Sequence, residues 1–197
     1  MLFRSAGTTK VLLPRLAKLG IPVKYTFTDL SPGFVAAARK QFKQYDFMRF
    51  QAHDIEKTPS ENLIGTQHLV IASNAVHATC DLSVSTANIR KALLPGDVLL
   101  MLEMTKPVVF IDIIFGLFEG WWLFNDGRDH AISHQSRWNN VLRSVGFDEV
   151  VWTDGKRPEN EIERLTLAVN PSTRYEHAHP HSSVPTLDLS ADVLARK

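Results

Sequence analysis

Two residues able to act together as an acid–base pair follow apolar segments of the sequence. His77 lies in ASNAVHATCD, after the apolar residues 69–72, and Glu103 lies in LLMLEMT, at the end of a second apolar segment. A carboxylate that orients an imidazole and stabilises its charged form makes the imidazole a general base, suited to removing a proton from a carbon acid. We predict that His77 and Glu103 form such a catalytic pair. The alternative is that His77 caps the following helix and Glu103 contacts solvent.

Other segments that resemble strands also end in polar residues. Asp29 ends VKYTFTD, at the position where a nucleotide-binding fold places an acid that accepts hydrogen bonds from ribose hydroxyls. Asp54 in AHDIE can accept a hydrogen bond from an adenine amino group, and Asn74 follows the third strand. The simpler alternatives are that Asp29 is an N-cap or turn residue before the helix that Pro32 opens, and that Asp54 is an ordinary loop acid.

The order of these segments determines the predicted fold. Strands are predicted within residues 23–29, 46–54, 67–78, 98–105, 148–154 and 162–170. Helices are predicted within residues 30–45 and 134–147, and another begins at Leu82 and is closed by Pro95 and Gly96. Because strands alternate with helices, we expect an α/β fold with a parallel, doubly wound sheet, whose strand ends carry the ligand site.

The amino-terminal segment MLFRSAGTTKVLLPRLAKLG contains a small-residue turn, SAGTT, that runs into a helix. The predicted apolar face of this helix consists of Val11, Leu12, Leu16 and Leu19. A turn of this kind normally follows a buried strand and cradles a ligand; the alternative is an ordinary amino terminus that imitates such a loop.

The composition excludes several classes of partner. The 197 residues, 44% hydrophobic and 22% charged, are typical of one globular domain, which we place at residues 1–170. A formal net charge of +1 provides no basic surface for nucleic acid or for an anionic membrane. The single cysteine, Cys80, excludes an intrachain disulfide, and a cytoplasmic location is expected.

Two further segments have unusual compositions. Residues 107–124, PVVFIDIIFGLFEGWWLF, are a membrane candidate, but Asp112 and Glu119 would each cost about 2.5–3.5 kcal/mol at a bilayer centre. We therefore predict a helix that lines a pocket or covers a sheet. Residues 171–197 are rich in Pro, Ser and His without periodicity and are predicted to be a disordered tail, with solvated rather than metal-bound His177, His179 and His181.

The motifs taken together point to a family. The segments YTFTDLSPGFVAAARKQF, AHDIEK, ASNAVHAT, LLPGDVLLMLEMT and FGLFEGWWLFNDGRDHA closely resemble the C-methyltransferase domain of fungal non-reducing polyketide synthases. The resemblance extends from Thr8 to Val169; FGLFEGWW is its more specific motif, whereas strand-end aspartates occur across class I methyltransferases. It implies a Rossmann-like sheet and transfer of a methyl group from S-adenosylmethionine to the α-carbon of a β-ketoacyl chain held on an acyl carrier protein.

The resemblance also implies roles for individual residues. His77 resembles the catalytic histidine of the family and Glu103 its partner. At the cofactor, it implies that Asp29 binds the ribose and that Asp54 lies near the adenine. The other candidates are Gly7 and Asn74 at the cofactor, Trp121 and Trp122 in the lid and substrate wall or simply in the core, and His130, which is structural or faces the substrate.

One motif of that family is incomplete in this sequence. Family members begin with a strand and a glycine-rich loop of the pattern E-x-G-x-G-x-G, whose bare backbone lets the cofactor approach closely. In MLFRSAGTT only Gly7 matches the loop. We therefore expect the sheet to lack its first, central strand, between the strands that contain Tyr25 and Val70, together with most of the loop.

Three functions remain open at this point. The first is S-adenosylmethionine-dependent C-methylation of a polyketide intermediate in secondary metabolism. The second is a truncated pseudo-methyltransferase that binds a partner, or a second copy of itself, through exposed sheet edges. The third is a cofactor-independent acid–base enzyme that catalyses a cyclisation or an elimination on a polyketide-like intermediate.

Overall fold

The computed structural model describes residues 6–172, which divide between two compact units, Met1–Ile55 and Glu56–Lys197. The histidines of the predicted tail lie outside the described residues. Within the described range, no helix is both long and apolar enough to cross a membrane. Each unit has its own sheet, and each is described separately below.

The first unit contains two helices and a two-stranded parallel sheet. Its elements are α1 (Gly7–Leu19), β1 (Tyr25–Asp29), α2 (Pro32–Gln41) and β2 (Met48–Ala52). The hydroxyl of Ser31 caps α2 by accepting a hydrogen bond from the Phe34 N–H, and Pro32 occupies the first turn, where its missing N–H costs nothing. The core consists of Leu13, Phe27, Val35, Ala38, Phe42 and Met48.

The predicted apolar face of α1 is wrong at two of its four residues, since Leu12 and Leu16 are half-buried but Val11 and Leu19 are not. The buried residues are Thr9 and Leu13, whereas Val11 and Leu19 are more than half exposed. Apolar side chains occur all around this helix, so periodicity alone does not select the face that is buried. A tertiary contact contributes to the choice, because the hydroxyls of Thr9 and Tyr25 lie 3.0 Å apart and join α1 to β1.

The second unit contains a four-stranded mixed sheet in the order β3-β4-β6-β5. Its strands are β3 (Gln67–Ser73), β4 (Leu93–Met104), β5 (Val150–Trp152) and β6 (Glu163–Val169). Its helices are α3 (Leu82–Ala92), α4 (Val109–Phe115), α5 (Gln135–Ser144) and α6 (Glu159–Ile162), with 3₁₀ turns at Val76–Ala78 and Glu119–Trp121.

The expectation of a wholly parallel sheet is wrong for the last two strands. β3 and β4 are parallel, but β6 is antiparallel to both β4 and β5. The short connection between β5 and β6 contains only the one-turn helix α6, whereas a parallel pair needs a crossover of about a dozen residues or more. The prediction of two final strands, within residues 148–154 and 162–170, is confirmed.

The boundary between α3 and β4 also differs from the prediction. The helix ends at Ala92 and the strand begins at Leu93, so Pro95 and Gly96 lie inside the strand segment. The register with β3 shifts here, from Gln67 opposite Leu93 to Leu69 opposite Val98. Gly96 has φ +86°, a left-handed conformation typical of a β-bulge, where proline is also tolerated.

The sheets of the two units do not share a strand. Among residues 6–172, no strand is hydrogen-bonded both to the β1–β2 pair and to the β3-β4-β6-β5 sheet. The lack of a central strand stays a prediction, because the segment before α1 lies outside the described residues.

Candidate active site

The ends of two neighbouring parallel strands bring His77 and Glu103 together. Ser73, the last residue of β3, is in register with Leu102 of β4, so the chain after β3 emerges beside Glu103. Asn74, with φ +46°, redirects the backbone there, and its N–H donates to the Leu102 carbonyl at 2.7 Å. The 3₁₀ turn Val76–Ala78 then carries His77.

The His77–Glu103 pair is buried and closely hydrogen-bonded. Nδ1 of His77 lies 2.6 Å from Oε2 of Glu103, and the two side chains are only 3% and 1% exposed. Oε1 of Glu103 accepts the N–H groups of Ala75 (3.0 Å) and Val76 (2.8 Å), which fixes the carboxylate. A carboxylate is an acceptor only, so Nδ1 of His77 carries the proton and Nε2 carries the basic lone pair.

This geometry contradicts the alternative interpretation of the two residues. Glu103 does not contact solvent, and the N-cap of α3 is Asp81, whose carboxylate accepts the N–H groups of Ser83 and Val84. A buried imidazole held in one tautomer by a carboxylate is the arrangement that general bases use. The catalytic roles themselves stay predictions.

One tryptophan, Trp121, lies beside the pair, and a second, Trp122, follows it in the chain. The ring of Trp121 meets His77 edge-on, with centroids 5.7 Å apart, and stacks on Phe115 at 5.4 Å. Trp121 is buried with Ala131 and Ile132, so it is a core residue that also contacts the pair. Trp122 is about half exposed, and its Nε1–H donates to the Gly116 carbonyl at 3.0 Å.

His130 is held in one tautomer, with both ring nitrogens engaged in hydrogen bonds. Its Nδ1 accepts the Ile132 N–H at 2.9 Å, so the proton lies on Nε2, which donates to Asp112 Oδ1 at 3.0 Å. The rings of Trp121 and Trp122 each lie 6.1 Å from the His130 ring, both edge-on. Sequence reasoning treated Asp112 only as an obstacle to membrane insertion and missed this partnership, which joins residues 18 positions apart.

Helix α4 only partly fulfils its predicted role. It buries none of its residues, so it does not cover a sheet. Ile111 and Phe115 pack against the cluster around Trp121, and the lining of a pocket by this helix stays a prediction. The remaining apolar side chains of this segment are exposed, namely Val109, Phe110, Ile113, Ile114 and Leu117.

The cofactor candidates are divided between the two units. In the first, Oδ1 of Asp29 accepts the Ser31 N–H at 2.9 Å, so the turn role proposed as its alternative is present, while Oδ2 makes no hydrogen bond within residues 6–172. Gly7 begins α1, and a Cβ added there would meet no atom within 4 Å. Asp54 follows β2 and comes directly after His53. Burial lowers the pKa of the His53 imidazole, and this effect is larger than the opposite effect of the Asp54 charge.

Asn74, in the second unit, carries an orphaned acceptor. Its Nδ2 lies 2.6 Å from Oε1 of Glu163, and because a carboxylate only accepts, the nitrogen must be the atom that faces Glu163. The carbonyl oxygen Oδ1 is then buried without a partner in the described part of the chain. Buried acceptors are normally satisfied, so this oxygen fits a ligand N–H or O–H. No cluster of three potential metal ligands occurs within residues 6–172.

Comparison with known proteins identifies the fold class. Residues 5–99 match the methyltransferase domain family. The structure superposes on the C-methyltransferase domain of the citrinin polyketide synthase with a TM-score of 0.84 and 50% identity, covering 85% of this chain and 44% of that one. It also matches the trans-methyltransferase CalH in complex with S-adenosylhomocysteine (TM-score 0.73, 31% identity, 84% of this chain and 49% of that one). The protein is therefore a class I methyltransferase by fold.

A curated relative indicates which group of methyltransferases this chain resembles. The non-reducing polyketide synthase dbaI of Emericella nidulans is 60% identical over 194 residues, which are 98% of this chain but 7% of the synthase. The chain is thus similar to the C-methyltransferase domains of fungal non-reducing polyketide synthases. It spans a small part of the length of such a synthase and less than half of the solved citrinin domain.

Proposed function

We propose that this chain transfers a methyl group from S-adenosylmethionine to the α-carbon of a β-ketoacyl polyketide intermediate. The observation that carries the proposal is the buried hydrogen bond between His77 and Glu103. The carbon between a ketone and a thioester is a carbon acid, and a general base is what its activation requires. The similarity to C-methyltransferase domains supports the choice of donor and acceptor.

S-adenosylmethionine supplies an electrophilic methyl group when it is bound. In the first unit, the second carboxylate oxygen of Asp29 is proposed to accept a ribose hydroxyl. In the second unit, the orphaned oxygen of Asn74 is proposed to accept a hydrogen bond from a ligand. Asp54 is proposed near the adenine amino group, and Gly7 is proposed where backbone and cofactor approach each other.

His77 is the proposed base of the reaction. Its Nε2 accepts the α-proton of the substrate, and the resulting imidazolium is stabilised by the ionised Glu103 at Nδ1. Because both side chains are buried, the charge that develops on the imidazole is poorly screened by water, so the carboxylate acts on it strongly. The enolate that results is the nucleophile.

The substrate wall is proposed to consist of Trp121, Trp122 and His130. The two indoles offer apolar surface to an acyl chain, and His130 is rigid because both ring nitrogens are engaged. A polyketide of this class would reach the site as a thioester on an acyl carrier protein, which is the proposed partner.

The test separates cofactor binding, proton removal and methyl transfer. Calorimetry with S-adenosylhomocysteine should give micromolar binding, about −8 kcal/mol. A β-ketoacyl N-acetylcysteamine thioester in D₂O should exchange its α-proton, and it should be methylated when S-adenosylmethionine is added. His77→Ala should abolish both reactions, and His68→Ala, at an exposed histidine of β3, should change neither.

Each failure would support one of the other functions. Proton exchange or a cyclised product without binding of S-adenosylhomocysteine would favour the cofactor-independent enzyme. A folded chain that neither binds nor exchanges, but sediments as an oligomer, would favour the partner-binding role. That role has one supporting observation: no described strand pairs with the outer edge of β3, where Leu69 is about half exposed.

A further inference from the structure

One buried arginine holds the turn that carries His77 by its carbonyl groups. Arg128 lies between α4 and α5, and its side chain is 1% exposed. Its Nη1 donates to the carbonyls of His77 (3.0 Å) and Ala131 (3.4 Å). Its Nη2 donates to the carbonyls of Thr79 (2.5 Å) and Cys80 (3.5 Å). Three carbonyls from the four residues 77–80 therefore converge on one cation.

The same turn is held on its other side by Glu103. The carboxylate accepts the N–H groups of Ala75 and Val76 while it also binds the His77 imidazole. The backbone around His77 thus lies between an anion on its N–H groups and a cation on its carbonyls. A three-residue 3₁₀ turn has few internal hydrogen bonds, so these external bonds contribute strongly to its orientation.

The charge of Arg128 is balanced within the same network. Its Nε donates to Oδ1 of Asp126 at 2.8 Å, and Oδ2 of Asp126 accepts the Leu82 N–H at the start of α3. Burial opposes ionisation of Asp126, but the hydrogen bonds from Leu82 and Arg128 outweigh it, so the pKa of this carboxyl lies below its usual value. The guanidinium also lies over the Phe124 ring, 5.0 Å from its centroid.

We propose that Arg128 is a positioning residue for the base, acting through the backbone of residues 77–80. It fixes the direction in which the His77 imidazole leaves the turn, toward Glu103 at one nitrogen and toward the substrate at the other. The role rests on the proposed function of His77. A lysine cannot replace it, because one ammonium nitrogen cannot reach the carbonyls and Asp126 that the planar guanidinium reaches together.

The test compares Arg128→Lys with Arg137→Lys in the full chain. Arg137 is a matched control, because it shares Asp126 with Arg128 but makes no hydrogen bond to residues 75–80 within the described range. It donates to the Asp126 carbonyl at 2.7 Å and lies 3.6 Å from Oδ1 of the Asp126 carboxylate. We expect Arg128→Lys to lower kcat for α-proton exchange about tenfold to a hundredfold with KM changed less than about twofold, because the Arg128 side chain is 1% exposed and binds the backbone of residues 77–80. Arg137→Lys should retain the wild-type kcat.

A spectroscopic measurement tests the inference independently of activity. The Nδ1–H proton of His77, in its short bond to a carboxylate, should give a far-downfield NMR resonance in the wild type and in Arg137→Lys. In Arg128→Lys this resonance should shift upfield or broaden while the circular dichroism is retained. A folded Arg128→Lys with the wild-type resonance would overturn the inference. Inactivity of the wild type would instead count against the proposed function and leave this comparison valid.

A second variant applies if Arg128→Lys does not fold. Asp126→Asn keeps the shape of the side chain but removes the charge that orients the guanidinium. It should shift the His77 resonance in the same direction by a smaller amount, and an unchanged resonance in folded Asp126→Asn would equally overturn the inference.

Discussion

Replacement of Glu103 by glutamine is the sharpest test of how the proposed base works. The amide oxygen must take the place of Oε1, because the alternative orientation would set an NH₂ group against the N–H donors of Ala75 and Val76. Each bond lost in that orientation would cost about 1–3 kcal/mol. The amide NH₂ therefore faces His77 Nδ1 and donates to it, which moves the imidazole proton to Nε2. The basic lone pair is then on the wrong nitrogen.

The magnitude follows from the charge that is removed. Two unit charges about 4 Å apart attract by about 4 kcal/mol at an effective dielectric constant of about 20. Loss of this stabilisation of the imidazolium raises the barrier by the same amount, which is about a thousandfold in rate at 1.36 kcal/mol per factor of ten. The amide keeps the size and shape of the carboxylate, so the fold should be retained.

The assay is the rate of α-proton exchange of a β-ketoacyl thioester in D₂O, followed by mass spectrometry. Binding of S-adenosylhomocysteine, measured in parallel, should change less than about threefold. The control is Glu161→Gln, at an exposed carboxylate paired with Lys106 at 2.8 Å, which should exchange at the wild-type rate. An exchange rate of folded Glu103→Gln within tenfold of the wild type would refute the assignment of tautomer control to Glu103.

Three further predictions concern stability and the cofactor. Asp126→Asn should lower the free energy of unfolding by about 1–3 kcal/mol at neutral pH. Because the folded-state pKa of Asp126 is lowered, its contribution is present above the unfolded pKa of about 4 and is lost as pH falls through the folded pKa, so urea unfolding of wild type and variant should converge in acid. Leu13→Ala, at a fully buried position, should cost about 2–5 kcal/mol in chemical denaturation, whereas Val11→Ala should cost less than about 0.5 kcal/mol. A larger cost for Val11→Ala than for Leu13→Ala would mean that α1 packs by its predicted face. Gly7→Ala should leave thermal stability unchanged, since a Cβ there meets nothing, but should weaken S-adenosylhomocysteine binding about tenfold in calorimetry; unchanged binding would remove Gly7 from the cofactor site.

Much of the secondary structure could be predicted because its signals are local. Ser31 and Pro32 determine where α2 begins, and Asp81 does the same for α3. The alternation of strands and helices predicts the α/β class, and the polar residues after β3 and near the end of β4 mark where a ligand site belongs. These features depend on neighbours within a few residues of each other, which the sequence displays directly.

The errors fall where a choice depends on packing. The apolar residues of α1 allow more than one buried face, and the contact with Tyr25 belongs to another element. The antiparallel direction of β6 depends on the length of a connection that contains an unpredicted one-turn helix, α6. The start of β4 depends on a bulge at Gly96 that exists only because β3 pairs beside it.

The sequence by itself determined the residue types of the chemistry: an imidazole and a carboxylate at the ends of two adjacent strands, within motifs of a methyltransferase family. Only the tertiary structure decided which nitrogen of His77 is basic, because that follows from a 2.6 Å bond between residues 26 positions apart. It also decided that Arg128, 51 positions from His77, closes the other side of the same turn. Hydrogen bonds of this kind depend on where the backbone brings distant groups together, and no local pattern of residues specifies that.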